Sequence, residues 1–268
     1  MVLITAADVP ARLRPALLQL LAACSDDLRV RAAWLEGSFA RGEADAWSDI
    51  GLHLIVEEPE TFGAVEWLGS LMPLVLADAI PGLSAAFICL TRDWVHIDLN
   101  LHSVEDELRQ ETPRQVLVDK DALIPSTSAA EVSSGPPFFP AQQTQIFLYL
   151  MGNAVTAFQR GDLIALSQTT VMMRDGLLIP LMLAENGILN ETGAKRVARH
   201  LTTEQQDCLE RLPAIGLTEI GLREAQRTLA VEYLTRARRL ADVCHAIWPT
   251  ELELAATRLW RHELGIDL

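Results

Sequence analysis

Two stretches of the N-terminal half alternate between apolar and polar residues, which is the pattern of a strand with one buried face. The first, residues 48–56, has Ile50, Leu52, Leu54 and Val56 on one face and Asp49, Gly51, His53 and Ile55 on the other. The second, residues 93–102, has Val95, Ile97, Leu99 and Leu101 on one face and His96, Asp98, Asn100 and His102 on the other. Each stretch therefore predicts a strand whose second face carries carboxylates and imidazoles.

The remaining patterns divide the chain into an α/β part and a helical part. Before residue 125, periodicity predicts helices over 10–24 and 61–77 and strands over 29–36, 85–90 and 114–124. Residues 125–140 are rich in Pro, Ser and Gly, which indicates a linker. After it, helical spacing predicts helices over 142–159, 162–185, 194–212, 222–248 and 251–264. Closely spaced strands favour a mixed sheet. We therefore expect an α/β (α+β) domain over residues 1–136 and an all-α helical bundle over 137–268.

Two local signals refine the helical part. Gly161 in the stretch Arg160-Gly161-Asp162 is typical of a helix stop, and Asp162 is typical of the cap of the next helix. Pro180 predicts a kink within that next helix, because proline lacks a backbone N–H group.

Charge and cysteine content narrow the classes of function. The net charge is −14, and residues 1–136 carry nine Lys and Arg against 21 Asp and Glu, a net of −12. Such a field repels phosphate backbones and attracts cations, so we expect no nucleic-acid partner, although solubility alone would also explain the charge. The sequence lacks an apolar run long enough to span a bilayer, a signal-peptide pattern and metal-type cysteine spacing. We expect no membrane association and a location in the cytoplasm.

The residues around the first alternating strand suit phosphate and metal chemistry. The segment "LEGSFARGEADAWSDIGLHL", residues 35–54, predicts a strand, a Gly-Ser turn opening a helical turn, and a second strand. Gly37 would let a phosphate approach the backbone, Ser38 would offer an amide at a helix start, and Arg41 could reach the same phosphates. Asp49 and Asp98 would face a common cleft and bind a divalent cation if their strands are neighbours. This arrangement is typical of metal-assisted nucleotidyl transfer.

That segment resembles the signature of the DNA polymerase β-like nucleotidyltransferase superfamily, in which Gly-Ser precedes Ser-Asp-hydrophobic-Asp/Glu-hydrophobic and a later strand supplies a third acid. Here "VHIDLNL", residues 95–101, supplies that acid as Asp98. The similarity is greatest to antibiotic adenylyltransferases that act on lincosamides or aminoglycosides, and "GNAVTAFQRGDLIALSQTTVMMRDGLL", residues 152–178, resembles their helical bundle.

The resemblance implies a set of roles. The nucleotide-binding residues would be Gly37, Ser38, Arg41 and Ser48. Asp49 would be a catalytic metal ligand, and Asp98 either a second ligand or the base that takes the acceptor's proton. It also implies Mg²⁺, ATP as co-substrate, transfer of AMP to a hydroxyl of a small cationic molecule, and a homodimer whose second subunit completes the substrate cleft.

Gly51 departs from this pattern, because the family has Asp or Glu at the equivalent position. Three explanations are open. In the first, the site is rebuilt with auxiliary groups such as His53, Glu43 or Asp45, although imidazole suits Mg²⁺ poorly. In the second, the protein binds nucleotide or ligand without transferring anything. In the third, position 51 carries a single substitution in an otherwise active chain.

Three functions therefore stand at this stage. The first is a small-molecule O-adenylyltransferase, and the second is a catalytically impaired binding protein of the same fold. The third is a helical-bundle interaction protein whose N-terminal half is scaffold. An enzyme should release pyrophosphate with some acceptor, a sensor should bind without turnover, and a scaffold should do neither.

Overall fold

The computed structural model of the chain describes residues 9–83, 85–106, 108, 113–125, 135–189 and 197–268. The chain divides into two units, Met1–Val132 and Ser133–Leu268. This division lies close to the domain boundary that the sequence predicts after residue 136. Of the predicted linker, residues 126–134 lie outside the described residues.

The described residues of the N-terminal unit form a six-stranded mixed sheet and two helices. In chain order the elements are α1 (Arg14–Asp26), β1 (Val30–Glu36), β2 (Ile50–Val56), α2 (Ala64–Leu71), β3 (Leu74–Ala79), β4 (Ala86–Thr91), β5 (His96–His102) and β6 (Gln115–Asp119). The strand order is β3-β4-β5-β2-β1-β6. Only the β2–β5 pair is parallel among the described pairs; the others are antiparallel. The mixed sheet that the sequence predicts is confirmed.

Alternation decides which face of the sheet is covered. On one face, the apolar residues of β2 and β5 form one large core with residues from both helices. Leu13, Leu20 and Leu68 are fully buried in it. On the other face, Trp34 and Ile55 form a small apolar cluster beside the polar side chains of β2 and β5. The candidate site therefore lies on the face that the two helices leave uncovered.

The helix predicted over residues 61–77 is wrong in its second half. Helix α2 ends at Leu71, and residues 74–79 form the edge strand β3. Pro73 explains the difference, because proline disfavours helical geometry in the residue before it. Met72 accordingly has an extended backbone, with φ −148° and ψ 144°.

The described regular elements of the C-terminal unit are helices. They are α3 (Ala141–Gln159), α4 (Leu163–Met173), a π-helical segment (Arg174–Leu178), α5 (Ile179–Glu185), a 3₁₀ turn (Val197–His200), α6 (Thr203–Arg211), α7 (Glu219–Val243) and α8 (Thr250–Leu264). Part of the helix predicted over 194–212, residues 194–196, lies outside the described residues. The core of this unit includes the fully buried Phe147, Tyr233 and Trp260.

The structure shows the outcome of the helix stop and cap predicted at Gly161 and Asp162 and of the kink predicted at Pro180. Gly161 has a φ of +64°, and the side chain of Asp162 accepts a hydrogen bond from Ala165 N at 3.0 Å, so the predicted stop and cap are confirmed. Where Pro180 predicts a kink, the chain winds as a π-helix just before it, since the missing proline N–H disturbs the regular ladder.

A buried ion-pair network joins three helices of this unit. The Arg236 guanidinium, on α7, contacts Glu185, Glu204 and Glu232. Arg236 is 4% exposed, so these partners must compensate the burial of its charge.

In the part of the chain that the structure describes, no helix is both long and apolar enough to cross a membrane.

Candidate active site

The acid-bearing ends of β2 and β5 lie side by side. The two strands run parallel with Ile50 opposite Ile97 and Gly51 opposite Asp98. Asp49 immediately precedes β2, and His96 is the first residue of β5. Because successive side chains on a strand point to opposite faces, Asp49, His96 and Asp98 all lie on the uncovered face. The structure therefore brings together the two carboxylates that the sequence singled out.

His96 lies between these carboxylates. Its Nδ1 is 3.1 Å from Asp49 Oδ1, and its Nε2 is 3.0 Å from Asp98 Oδ1. The second distance is that of an ion pair, but Nε2 forms no hydrogen bond of acceptable geometry with the described residues. The three side chains are 28–35% exposed, so a ligand can reach them from solvent. The alternation places His96 on the same face as Asp98, yet its position between the acids could not be read from the sequence.

The Gly-Ser turn follows β1 without opening a helix. Gly37 has a φ of +68°, which favours glycine. Arg41 N donates to Gly37 O at 3.2 Å, and Glu43 N donates to Ser38 O at 2.8 Å. These bonds close one helix-like turn that does not continue. The predicted helical turn is therefore present but no helix continues from it, so a phosphate contact at Ser38 would come from the turn itself and not from the dipole of a helix.

Arg41 and Ser48 take part in contacts within the loop between β1 and β2. Arg41 Nε donates to Glu43 Oε2 at 3.1 Å. Ser48 is buried, and its hydroxyl accepts a hydrogen bond from Asp45 N at 2.9 Å, which closes the turn before Asp49. Asp45 Oδ1 also accepts from Trp47 N at 2.9 Å. Glu43 and Asp45 therefore shape the loop that leads into the site.

Gly51 has room for a side chain. A Cβ atom built at this position would come no closer than 3.7 Å to Glu36 O, which is an ordinary van der Waals distance. Its φ lies outside the left-handed region, so an L-residue could adopt the same backbone. Glu36 on β1 is opposite Gly51 on one side, and Asp98 on β5 is opposite it on the other. A carboxylate at position 51 would therefore stand between two existing acids.

His53 belongs to a second cluster on the same face. Its Nδ1 is 2.9 Å from His102 Nε2, and its Nε2 is 3.6 Å from Glu36 Oε2. Both imidazoles stack on Trp34, with ring centroids 5.1 Å apart in each case. Trp34 Nε1 donates to Glu36 Oε1 at 2.9 Å. These contacts make His53 part of an aromatic cluster beside the acid pair. Its predicted auxiliary role stays a prediction.

Burial lowers the pKa of both histidines of this pair. Desolvation, with smaller contributions from the charges of His102 and Arg114, lowers the pKa of His53 from 6.5 to about 3. The pKa of His102 is also lowered, mainly by burial. At neutral pH one imidazole therefore donates to the other as an uncharged ring.

The acid pair fits a cation shared with a nucleotide better than a protein-enclosed metal. Within the described residues, no group of three or more His, Cys, Asp or Glu side chains is arranged to hold a metal ion. Mg²⁺ usually keeps several waters and binds one or two carboxylates together with substrate phosphates. Asp49 and Asp98, which contact the same imidazole, provide two carboxylates in one place. The residues therefore fit one such ion, and Gly51 supplies no oxygen for a second.

Comparison with known proteins gives a family match. The model of the streptomycin adenylyltransferase family matches residues 14–191, which include the whole described sheet and the acid pair. A comparison with curated proteins gave no significant match. Among solved structures, an aminoglycoside 6-adenyltransferase from Bacillus subtilis is similar over 92% of this chain and 95% of that one, at 15% identity and a TM-score of 0.39. At these values the structural likeness by itself carries no conclusion about activity.

Proposed function

Since the chain belongs to the streptomycin adenylyltransferase family, we propose that it transfers AMP from Mg-ATP to a hydroxyl group of a small cationic molecule of the aminoglycoside kind. Membership of the family shows that the protein is of the adenylyltransferase type. We propose in addition that the nucleotide is ATP, that the metal is Mg²⁺ and that the accepting group is a hydroxyl.

One observation carries the proposal: Asp49 and Asp98 both lie on the uncovered face, partly exposed to solvent, on either side of the same imidazole. Their carboxylates both contact His96, at 3.1 and 3.0 Å. Two partly buried like charges beside one imidazole oppose one another, so a structural role alone gives little reason to gather them. A divalent cation and the developing charge of a phosphoryl-transfer reaction do give such a reason.

The reaction assigns distinct tasks to the residues. The acceptor oxygen forms a bond to the α-phosphorus, the bond from that phosphorus to the bridging oxygen breaks, and pyrophosphate leaves. Bound at Asp49, Mg²⁺ would supply a Lewis acid for the phosphate oxygens. The acceptor's hydroxyl proton passes to the carboxylate of Asp98, beside which His96 Nε2 lies at 3.0 Å. The turn at Gly37 and Ser38 provides backbone groups for the phosphates.

The charge of the molecule supports a cationic acceptor. The chain has a net charge of −14, most of it in the N-terminal half, and this field would raise the local concentration of a polyamine-like substrate. Lincosamides belong in the same test as aminoglycosides because they too are cationic. A homodimer, a location in the cytoplasm and the absence of a nucleic-acid or membrane partner stay predictions.

Pyrophosphate release tests the proposal. The protein would be incubated with Mg-ATP and single aminoglycosides or lincosamides, alongside Asp49→Asn and Asp98→Asn. We expect release with at least one acceptor and a loss of about 100-fold or more in each variant, since each removes a ligand or base from the reacting centre.

Asp78→Asn is the matched control. Asp78 is an exposed acid on the edge strand β3, so this variant should keep the parent's rate. Binding of ATP without release for any acceptor would favour the catalytically impaired alternative. Release that persists in both active-site variants would refute the assigned site.

A further inference from the structure

Arg12 joins two loops that are distant in sequence. Its Nη1 donates to Ala46 O at 2.8 Å, and its Nη2 donates to Asp93 O and Trp94 O, both at 2.9 Å. Ala46 belongs to the loop between β1 and β2, whereas Asp93 and Trp94 form the turn between β4 and β5. One planar guanidinium therefore bridges the backbones of both loops, which its fork of donors suits well.

Both loops lead directly into the acid pair. The loop with Ala46 continues to Asp49, and the turn with Trp94 continues to His96. The β2–β5 ladder begins at Ile50 and Ile97, so the contact between Asp49 and His96 lies just outside it. The β4–β5 ladder holds His96 opposite Leu90, but no described ladder pair includes Asp49. The way in which the loop before Asp49 is held against the turn before His96 therefore contributes to the geometry of this contact.

Each loop also has a hydrogen bond of its own, whereas the Arg12 bonds connect one loop to the other. In one loop, Ser48 N donates to Asp45 O at 3.1 Å. In the other, Val95 N donates to Thr91 Oγ1 at 3.0 Å. Trp94 has a φ of +60°, which is unfavourable for a bulky residue, and its carbonyl accepts one of the Arg12 bonds.

Arg12 also fixes the side of the loop nearest Asp49. Its guanidinium carbon lies 4.7 Å from the ring centroid of Trp47, the residue after Ala46. A cation over an indole face adds attraction to the hydrogen bond beside it. Leu13, next to Arg12, is fully buried in the core, so the backbone that carries the guanidinium is anchored.

We infer that Arg12 is a positioning residue: it holds the Asp49 carboxylate at a fixed separation from His96 and Asp98. Its role in the reaction rests on the proposed function, while the positioning itself does not. The family match begins at residue 14, so this assignment is independent of it.

Amide hydrogen exchange and kinetics of three variants test the inference. Arg12→Ala removes the bridge, and Arg12→Lys keeps the charge without the fork. Arg14→Ala is the matched control, because Arg14 donates to Val9 O within its own segment. In Arg12→Ala we expect the rate of amide exchange to rise at least about tenfold in residues 43–49 and in residues 91–96. Losing even one of the three charge-assisted hydrogen bonds would have this effect. The rest of the sheet should keep its protection.

The kinetics separate positioning from general stability. Misplaced groups cost rate more than binding, so Arg12→Ala should lower kcat by about 10–100-fold and leave KM for ATP within about threefold. Arg12→Lys should recover little of kcat, and Arg14→Ala should resemble the parent. If the parent itself transfers nothing, the proposed function fails and the exchange result still decides the positioning. Exchange that rises in one loop only, in neither, or throughout the unit would overturn it.

Discussion

His53 should make the N-terminal unit sensitive to mild acid. Its pKa lies at about 3 in the folded chain against 6.5 for an ordinary histidine, chiefly because the ring is buried. The groups that face it are the imidazole of His102 on β5, the carboxylate of Glu36 on β1, and Arg114 before β6. Between pH 6.5 and 3 the unfolded chain therefore binds a proton that the folded chain does not.

The sign and size of the effect follow from proton linkage. Stability is fully present above pH 6.5 and falls as the pH decreases toward 3, because protonation favours the unfolded state. One pKa unit corresponds to about 1.4 kcal/mol, so the loss from this residue at pH 5 is about 2 kcal/mol. The side chain of His53 is only 15% exposed, so screening by solvent reduces this loss of free energy only slightly.

Urea unfolding at pH 7 and pH 5 measures this loss in the parent and in His53→Gln, whose amide does not titrate. The loss should be smaller in the variant by about 2 kcal/mol. His262→Gln, which removes a histidine with an 84% exposed side chain, should show the parent's loss. Equal losses in the parent and His53→Gln, or an imidazole signal of His53 that titrates near pH 6.5 by NMR, would refute the reasoning.

Three further predictions concern single sites. Gly51→Asp should fold normally, since its Cβ would lie 3.7 Å from Glu36 O. The variant should bind ATP in the presence of Mg²⁺ at least ~10-fold more tightly, as measured by calorimetry. Unchanged affinity would argue against a metal at this site. Arg236→Met should lower the free energy of unfolding by about 3 kcal/mol in urea, because it leaves carboxylates without their buried partner, whereas the exposed Arg227→Met should not. Asp162→Ala should cost about 1 kcal/mol through the lost helix cap, and no change in the unfolding midpoint would contradict that assignment.

The sequence predicts the site's strands well because alternation is a local property. Residues 48–56 and 93–102 have a period of two that permits only one assignment of faces, and Asp49 and Asp98 lie on the uncovered face as expected. The helix predicted over 61–77 failed where composition was ambiguous, and Pro73 was the signal that could have corrected it.

Contacts between distant segments could not be predicted in this way. In the sequence, Glu36 is an ordinary polar residue at the end of a strand. The antiparallel register of β1 and β2 places it opposite Gly51. His96 lies between the two acids only because β2 and β5 are parallel with Ile50 opposite Ile97. Arg12 meets backbone carbonyls of residues 46, 93 and 94, a connection that no local pattern encodes.

The most direct test of the central claim is a mass spectrum of acceptors after incubation with Mg-ATP and the protein. We expect an aminoglycoside that gains the mass of one adenylyl group with the parent chain, and more of this product with Gly51→Asp. Adduct with Gly51→Asp alone would mean a complete fold and substrate site that lacks one carboxylate. An absence of adduct from both chains, with ATP binding intact, would contradict the claim that Asp49 and Asp98 form an adenylyl-transfer site.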